Sequence, residues 1–381
     1  MHTKVRYLME SVAILNPKLQ VNGISRKTGC STIANQDVLC GSVVINAPRF
    51  DVSDSRNADY VLVQVNAFSC NYRDKALIVR AAEKMEKQED AQPFAFFGSD
   101  FVGTVKAVGS NVSDLHDGMR VIPDCSYPYA PSGSVAPGVV TNEASRGWLR
   151  LHRAKLLPIP DIMPDEIAAS YSIGSQTSYS MVRRTMAKEG DKAMVLSARS
   201  NTSMFIMKAL LARGVDVTAV STSSWTEKEK SHFRGVHFIE VPRIQREWDN
   251  EASSPINEMF FDELFDPYYD LHLPFVLKYL KPNGRYITCG FKNQHDSFAE
   301  DTDNLSSNRF DKLLLDAMIN DISVIGNCIG THEDIVESVK RFDPHDWLPI
   351  DSVLSVSDGA IFLDRTYSDK HRFGKTVLRY N

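Results

Sequence analysis

The stretch Met194–Ser221, MVLSARSNTSMFIMKALLARGVDVTAVS, reads as strand, polar turn, helix and strand. An apolar run over Lys192–Leu196 leads into the turn, Thr202–Arg213 repeats its apolar residues at helical spacing, and Asp216–Ser221 is again strand-like. Such a turn is the place for the dinucleotide fingerprint G-x-G-x-x-G, whose glycines let the backbone approach a pyrophosphate. Here it reads Ala198-Arg199-Ser200-Asn201-Thr202-Ser203, without a glycine. Each close-approach point therefore carries a Cβ. In exchange, Ser200, Asn201, Thr202 and Ser203 supply hydroxyl and amide donors beside a helix N-terminus, whose free N–H groups and partial positive charge attract an anion. Arg199 adds a charge-assisted contact. The same residues also read as a simple N-cap cluster on a fold that no longer holds a ligand.

Downstream, strands and helices alternate. Lys228–Arg234 is helical and His237–Val241 a strand; Glu263–Phe265 begins a strand and Leu273–Leu280 is helical; Tyr286–Gly290 and Ile322–Ile325 are strands. That order implies a parallel sheet with helices on both faces. Thr331–Phe342 returns as a helix, with Thr331 as N-cap and acidic residues in its first turn. At the end of the second strand, Ser221, Thr222 and Ser223 stand where an acid would bind a ribose 2′-hydroxyl. Small hydroxyls there, with Lys228 and Lys230 downstream, suit a 2′-phosphate and favour NADPH over NADH. Glu227 and Glu229 are interleaved with those lysines, which also fit a solvated helix face. Gly290 falls at the C-terminal edge of the sheet, where ligands bind in such folds, or is an ordinary turn glycine.

Upstream, Asp59–Phe68 and Phe101–Val108 alternate as strands and Met119–Pro123 begins another. Residues up to about Asn57 are mixed, with short strand-like runs such as Ser42–Asn46, and Ala81–Gln92 is charged and reads as helix or loop. Tyr127–Arg146 is a long loop rich in Pro, Gly, Ser and Tyr, Asp165–Ala187 looks helical, and Thr376–Tyr380 is a last strand.

At 381 residues the chain fits about two domains. A hydrophobic share of 43% with 24% charged residues is that of a globular protein. A net charge of -5 offers no electrostatic basis for nucleic-acid binding. No apolar run is long enough for a membrane span, and the N-terminal residues, interrupted by Arg6 and Glu10, lack the pattern of a secretory signal. Six scattered cysteines without a C-x-x-C pair read as free thiols of a cytoplasmic protein.

Several ordered blocks resemble the medium-chain dehydrogenase/reductase superfamily, and most its zinc-independent, quinone-oxidoreductase-like branch. They are VLVQVNAFSCNYRD (Val61–Asp74), FFGSDFVGTVKAVGSNV (Phe96–Val112), DGMRVI (Asp117–Ile122), LLPIPDIMPDEIAASYSIGSQTSYSMV (Leu156–Val182), EGDKAMVL (Glu189–Leu196), LKPNGRYITCG (Leu280–Gly290) and FGKTVLR (Phe373–Arg379). The resemblance implies an α/β architecture: a GroES-like β-barrel catalytic domain over 1–160 and 329–381, a Rossmann domain with a doubly wound parallel sheet inserted over 161–328, and an active site at their junction. It implies a homodimer paired through a Rossmann edge strand, for which Ile322–Ile329 is the candidate, and it puts Thr177 near a nicotinamide or, equally, in plain helix–sheet packing.

The zinc-dependent branch has a Cys ligand where this chain has Asn71 and a His where it has Ser99. Neither replacement suits zinc, so no metal is expected. The branch then implies NADPH-dependent reduction of a carbon–carbon double bond conjugated to a carbonyl. Tyr72 is the candidate donor or acid and Asn71 the candidate for orienting the carbonyl, while Tyr72 fits equally as a packing aromatic. Arg73 and Asp74 read as a structural ion pair. The substrate would be a small enone or, in a narrower resemblance to lanthipeptide reductases, dehydroalanine or dehydrobutyrine in a dehydrated peptide precursor. Two other functions stay open: a cofactor-dead binding or scaffold protein, and an alcohol dehydrogenase or quinone reductase.

Overall fold

The computed structural model of the chain describes residues 8–19, 25–87, 92–243, 248, 256, 259–296, 298 and 308–380. The first part of the chain forms β1 (Leu8–Leu15), β2 (Ser25–Ile33), β3 (Gln36–Asn46), β4 (Tyr60–Ser69), α1 (Tyr72–Lys87), β5 (Phe94–Ala95), β6 (Asp100–Val108), β7 (Arg120–Pro123), β8 (Trp148–His152), β9 (Leu156–Pro158), α2 (Asp165–Ala168) and α3 (Ser172–Thr185). An alternating part follows: β10 (Lys192–Val195), α4 (Asn201–Leu211), β11 (Asp216–Ser221), α5 (Glu227–Lys230), β12 (His237–Glu240), β13 (Phe261–Asp266), α6 (Tyr269–Val276), β14 (Leu280–Thr288), α7 (Asn308–Ile319), β15 (Ser323–Gly326) and α8 (His332–Lys340). The chain closes with β16 (Ile350–Leu354), α9 (Gly359–Tyr367) and β17 (Lys375–Arg379).

Two compact units result, Met1–Ile173 with Pro349–Asn381, and Gly174–Leu348. The second unit starts later than the 161 expected for the insertion and ends later than the expected 328, because α8 is tied into it. Arg183 Nε and Nη2 donate to the two Asp334 oxygens at 2.8 and 2.9 Å, and Gln176 Nε2 donates to Thr331 O at 2.9 Å.

In the first unit, one sheet runs β16-β17-β4-β6-β7-β9, with β8 also on β4, and a smaller one runs β2-β3-β1-β5. Of the three strands before residue 57, β3 contains the strand-like run Ser42–Asn46, whereas β2, SRKTGCSTI, shows no apolar alternation because it is a polar strand on the edge of its sheet. Register matters more than shape here. Val377 pairs with Ser69, and Ser69 pairs with Asp100. The start of β17, the end of β4 and the start of β6 thus lie side by side. Below them Phe68 packs 5.8 Å from Phe97 and 5.3 Å from Phe362, ring centre to ring centre. This aromatic cluster buries the floor on which the polar groups stand.

The second unit is a six-stranded sheet, β12-β11-β10-β13-β14-β15, parallel throughout. Strand order reverses between β10 and β13, the topological switch point at which doubly wound sheets bind ligands beyond the carboxyl ends of their strands. Met194, Leu196, Val220, Leu264 and Tyr286 fill its core with almost no exposure. The expected helix over Asp165–Ala187 is broken into α2 and α3, and the expected helix over Lys228–Arg234 is the single turn α5, closed by a Thr226–Glu229 capping box.

Candidate functional site

In the first unit the polar residues converge where the register brings the strand ends together. Asn71 follows β4 and precedes α1. Its Oδ1 accepts from Lys375 Nζ at 2.9 Å, and its Nδ2 donates to Ser99 Oγ at 3.1 Å and to Asp100 Oδ2 at 2.8 Å. Both amide hydrogens are therefore engaged, and a substrate carbonyl can take a hydrogen bond from Asn71 only by displacing one of these partners. Lys375 is buried and also donates to Cys70 O at 2.6 Å, with Asp100 Oδ2 at 3.8 Å. Burial lowers the Lys375 pKa, and the Asp100 carboxylate opposes that shift. Gly98, at φ +94°, sets up this corner; a Cβ there would lie 2.8 Å from the Phe68 ring.

Asp74 collects the other side of the cluster. It accepts from the Asn71 N–H at 2.8 Å, from Ser99 Oγ at 2.6 Å and from Arg73 Nη1 at 3.1 Å. Burial raises its carboxyl pKa despite these bonds. The Arg73–Asp74 ion pair is thus present, and Arg73 reaches on to Asn142 Oδ1 at 2.8 Å. Tyr72 is the first residue of α1 and half-buried, with Lys75 Nζ 5.7 Å from its ring centre. Tyr367 and Lys375 were missed as site residues. Tyr367 OH donates to Asn71 O at 3.1 Å, and burial, with Cys70 and Asp74 near it, holds the phenol well above its usual pKa. The one signal in the sequence was a lysine at the third position of the FGKTVLR block, shortly before the apolar Val377-Leu378.

In the second unit the glycine-free turn is built as an N-cap. Ser200 Oγ accepts from Ser203 N at 3.1 Å and donates to Ser203 Oγ at 2.9 Å, while Ser203 Oγ donates to Leu196 O at 2.8 Å. Those two hydroxyls are consumed in fastening α4 to β10. The N–H groups of Asn201 and Thr202, at the first two helical positions, have no intrahelical acceptor. Asn201 Nδ2 is a buried donor with no hydrogen-bond partner among the described residues. These are the groups that fit an anionic cofactor phosphate. Ser197, before the turn, adopts φ +46°, a left-handed backbone at a non-glycine residue. Thr177 is buried on α3, which touches the turn through Ser178 Oγ donating to Thr202 O at 3.1 Å. Gly290 lies against the loop after β13; a Cβ on it would sit 2.9 Å from Pro267 O.

The second-strand end differs from expectation. Ser221 Oγ is engaged, donating to Ser223 O at 2.7 Å and accepting from Trp225 Nε1 at 2.9 Å. Thr222, Ser223 and Lys228 are exposed. Arg199 is bound to Glu229 instead of standing free, with Nη2 2.7 Å from Oε1 and Nη1 3.0 Å from Oε2. An acid does stand close to that run: Glu229 of α5, five residues beyond Ser224, shares Arg199 with Ser224 O.

Residues 57–148 match the alcohol dehydrogenase GroES-like domain family. The crotonyl-CoA carboxylase/reductase AntE, solved in complex with NADP, superposes with a TM-score of 0.71 over 98% of this chain and 95% of its own, at 13% identity. The chain carries the medium-chain dehydrogenase/reductase fold. A zinc-type alcohol dehydrogenase-like protein of Schizosaccharomyces pombe is 23% identical over 354 residues, 90% of this chain and 97% of its own length. A mitochondrial enoyl-[acyl-carrier-protein] reductase of Caenorhabditis elegans is 29% identical over 176 residues, 45% of each chain. Within this medium-chain fold the GroES-like unit carries the Asn71–Lys375 cluster and the Rossmann unit carries the Ser200–Ser203 turn. No helix among the described residues is long and apolar enough to cross a membrane.

Proposed function

We propose that this chain is an NADPH-dependent oxidoreductase that reduces a carbon–carbon double bond conjugated to a carbonyl, without zinc. One observation carries the reading. The two positions that match zinc ligands of the zinc-dependent branch hold an amide and a hydroxyl, and a buried ammonium, Lys375 Nζ, bonds the amide oxygen at 2.9 Å. Asn71 and Ser99 form a hydrogen-bonded cluster with Asp74 and Asp100, a donor set that does not suit a borderline-soft metal. Polarising the substrate then falls to hydrogen-bond donors.

The first-turn N–H groups of α4 and Asn201 Nδ2 are the groups to hold the cofactor pyrophosphate, and Thr177 and Gly290 belong to the same face. When bound, the reduced nicotinamide supplies a hydride to the β carbon of the substrate. Tyr72, at the start of α1, is the residue to donate to the enolate oxygen or to act as the acid that protonates the α carbon. Arg73 and Asp74 brace that end of the helix. The enoyl reductase relative, matched over 176 residues, supports reduction of an activated alkene.

Within this class we favour a dehydroalanine or dehydrobutyrine residue of a dehydrated peptide. The long segment Tyr127–Arg146 leaves Tyr127 39% and Tyr129 81% exposed, aromatic surface suited to a large substrate. We also propose a homodimer built on the β15 edge, where Val324 is 53% exposed beside Leu314, Leu315, Met318 and Ile319 of α7, and a cytoplasmic location, in keeping with six free cysteines.

Incubation with NADPH and a dehydrated peptide should add two hydrogens per site by mass spectrometry, with saturable NADPH binding by fluorescence. Turnover of small enones with no change in the peptide would reject the peptide substrate. Absence of nucleotide binding would favour the scaffold reading, and stoichiometric, activity-linked zinc in the purified protein would favour an alcohol dehydrogenase.

A further inference from the structure

Arg199 points along the carboxyl edge of the sheet, from the turn after β10 to the end of β11. Its guanidinium makes the two-pronged contact to Glu229 and a third bond to Ser224 O at 3.1 Å, and lies 5.3 Å from the centre of the Trp225 ring. Both members of the pair are well covered, at 18% and 14% side-chain exposure. The bond from Arg199 holds the Glu229 carboxyl below its ordinary pKa, so the pair is ionic at neutral pH. Glu229 also accepts from the Thr226 N–H at 2.7 Å, which fastens α5 to the same spot.

In sheets of this type the end of the second strand faces the adenine-side ribose. An acid there accepts from a 2′-hydroxyl, and an arginine nearby accommodates a 2′-phosphate. This chain has both, and they are locked on each other. We infer that Glu229 is the residue that determines discrimination at the 2′ position, because its carboxylate occupies the fork of Arg199 that a 2′-phosphate would take. The inference rests on the dinucleotide reading of β10–α4–β11. A 2′-phosphate gains Arg199 only by displacing Glu229, and the displaced carboxylate then repels it. Ser221 cannot make up the difference, since its hydroxyl already donates to Ser223 O and accepts from Trp225. Glu229 therefore tempers, without reversing, the NADPH preference that the lack of an acid at Ser221–Ser224 confers.

The test is calorimetric titration of the full chain with 2′,5′-ADP and with 5′-AMP, for the parent, Glu229→Gln and Arg199→Met. Glutamine retains the capping-box geometry of α5, and thermal melts confirm that each variant is folded. Glu229→Gln should bind 2′,5′-ADP about tenfold more tightly than the parent, with 5′-AMP within about twofold. Arg199→Met leaves the Glu229 carboxylate without its cation, so 2′,5′-ADP should bind more weakly than 5′-AMP. Unchanged or weaker 2′,5′-ADP binding by Glu229→Gln, with 5′-AMP still bound, overturns the role given to Glu229 and leaves the dinucleotide reading standing. If none of the three proteins binds either nucleotide, the dinucleotide reading fails and takes this inference with it.

Discussion

Lys375 Nζ donates to Asn71 Oδ1 at 2.9 Å, and so a buried ammonium decides which way the Asn71 amide faces. The oxygen turns to the lysine, and the nitrogen to Ser99 and Asp100. The cluster thus has a fixed polarity, with its donors and acceptors matched before any substrate arrives.

Lys375→Met should destabilise the protein by about 3 kcal/mol in urea unfolding, because the Asp100 carboxylate and the acceptors on Cys70 and Asn71 lose their cation in a buried site. Adding Asp100→Asn should recover part of that loss by removing the stranded charge. A single variant as stable as the parent would mean that the ammonium does not hold the cluster together.

Tyr72→Phe removes one oxygen at the first residue of α1. If the phenol donates to the enolate, kcat with an enone or a dehydrated peptide should fall about 100-fold, while NADPH affinity and melting temperature stay level. A kcat within threefold of the parent would assign Tyr72 to packing alone.

Glu263, fully buried on β13, accepts from Arg285 Nη1 at 3.1 Å. Burial first, then the nearby Asp191 and Asp262, raises its carboxyl from 4.5 to about 8. The folded state therefore binds a proton that the unfolded chain has released across this window. Its contribution is full below about pH 4.5 and is lost as pH rises towards 8, at a slope of up to about 1 kcal/mol per pH unit. Glu263→Gln should escape this loss, so the melting-temperature difference, variant minus parent, should grow from pH 5.5 to 8. A difference that is flat with pH would contradict the assignment.

Val324, on the open edge of β15, tests the proposed dimer. Val324→Lys places a charge on an unpaired edge strand, a substitution that blocks strand addition. Sedimentation should show a dimer for the parent and a monomer for the variant at the same concentration. A parent that sediments as a monomer refutes the proposal outright.

Much of the Rossmann unit was legible because its signals are local. The alternating apolar residues of Asp216–Ser221, the Thr331 cap and the polar turn at Ser200 each act within a few residues, where propensity and hydrogen bonding depend on neighbours in the chain. The barrel-like unit was half legible. Its central strands β4 and β6 are apolar and alternate, whereas β2 is polar, and α1 opens at Tyr72 inside a run whose apolar spacing is masked by charge.

The alternation of strands and helices after Lys192, the missing glycines, and the amide and hydroxyl at Asn71 and Ser99 were all determined by the sequence itself, since each follows from residue type and short-range spacing. Only the tertiary structure decided that Lys375 meets Asn71 across 304 residues, that Tyr367 closes over the same peptide, and that Glu229 takes hold of Arg199. Charge pairs of this sort arise from strand register and chain reversal, which set side chains face to face without leaving any periodic trace along the chain.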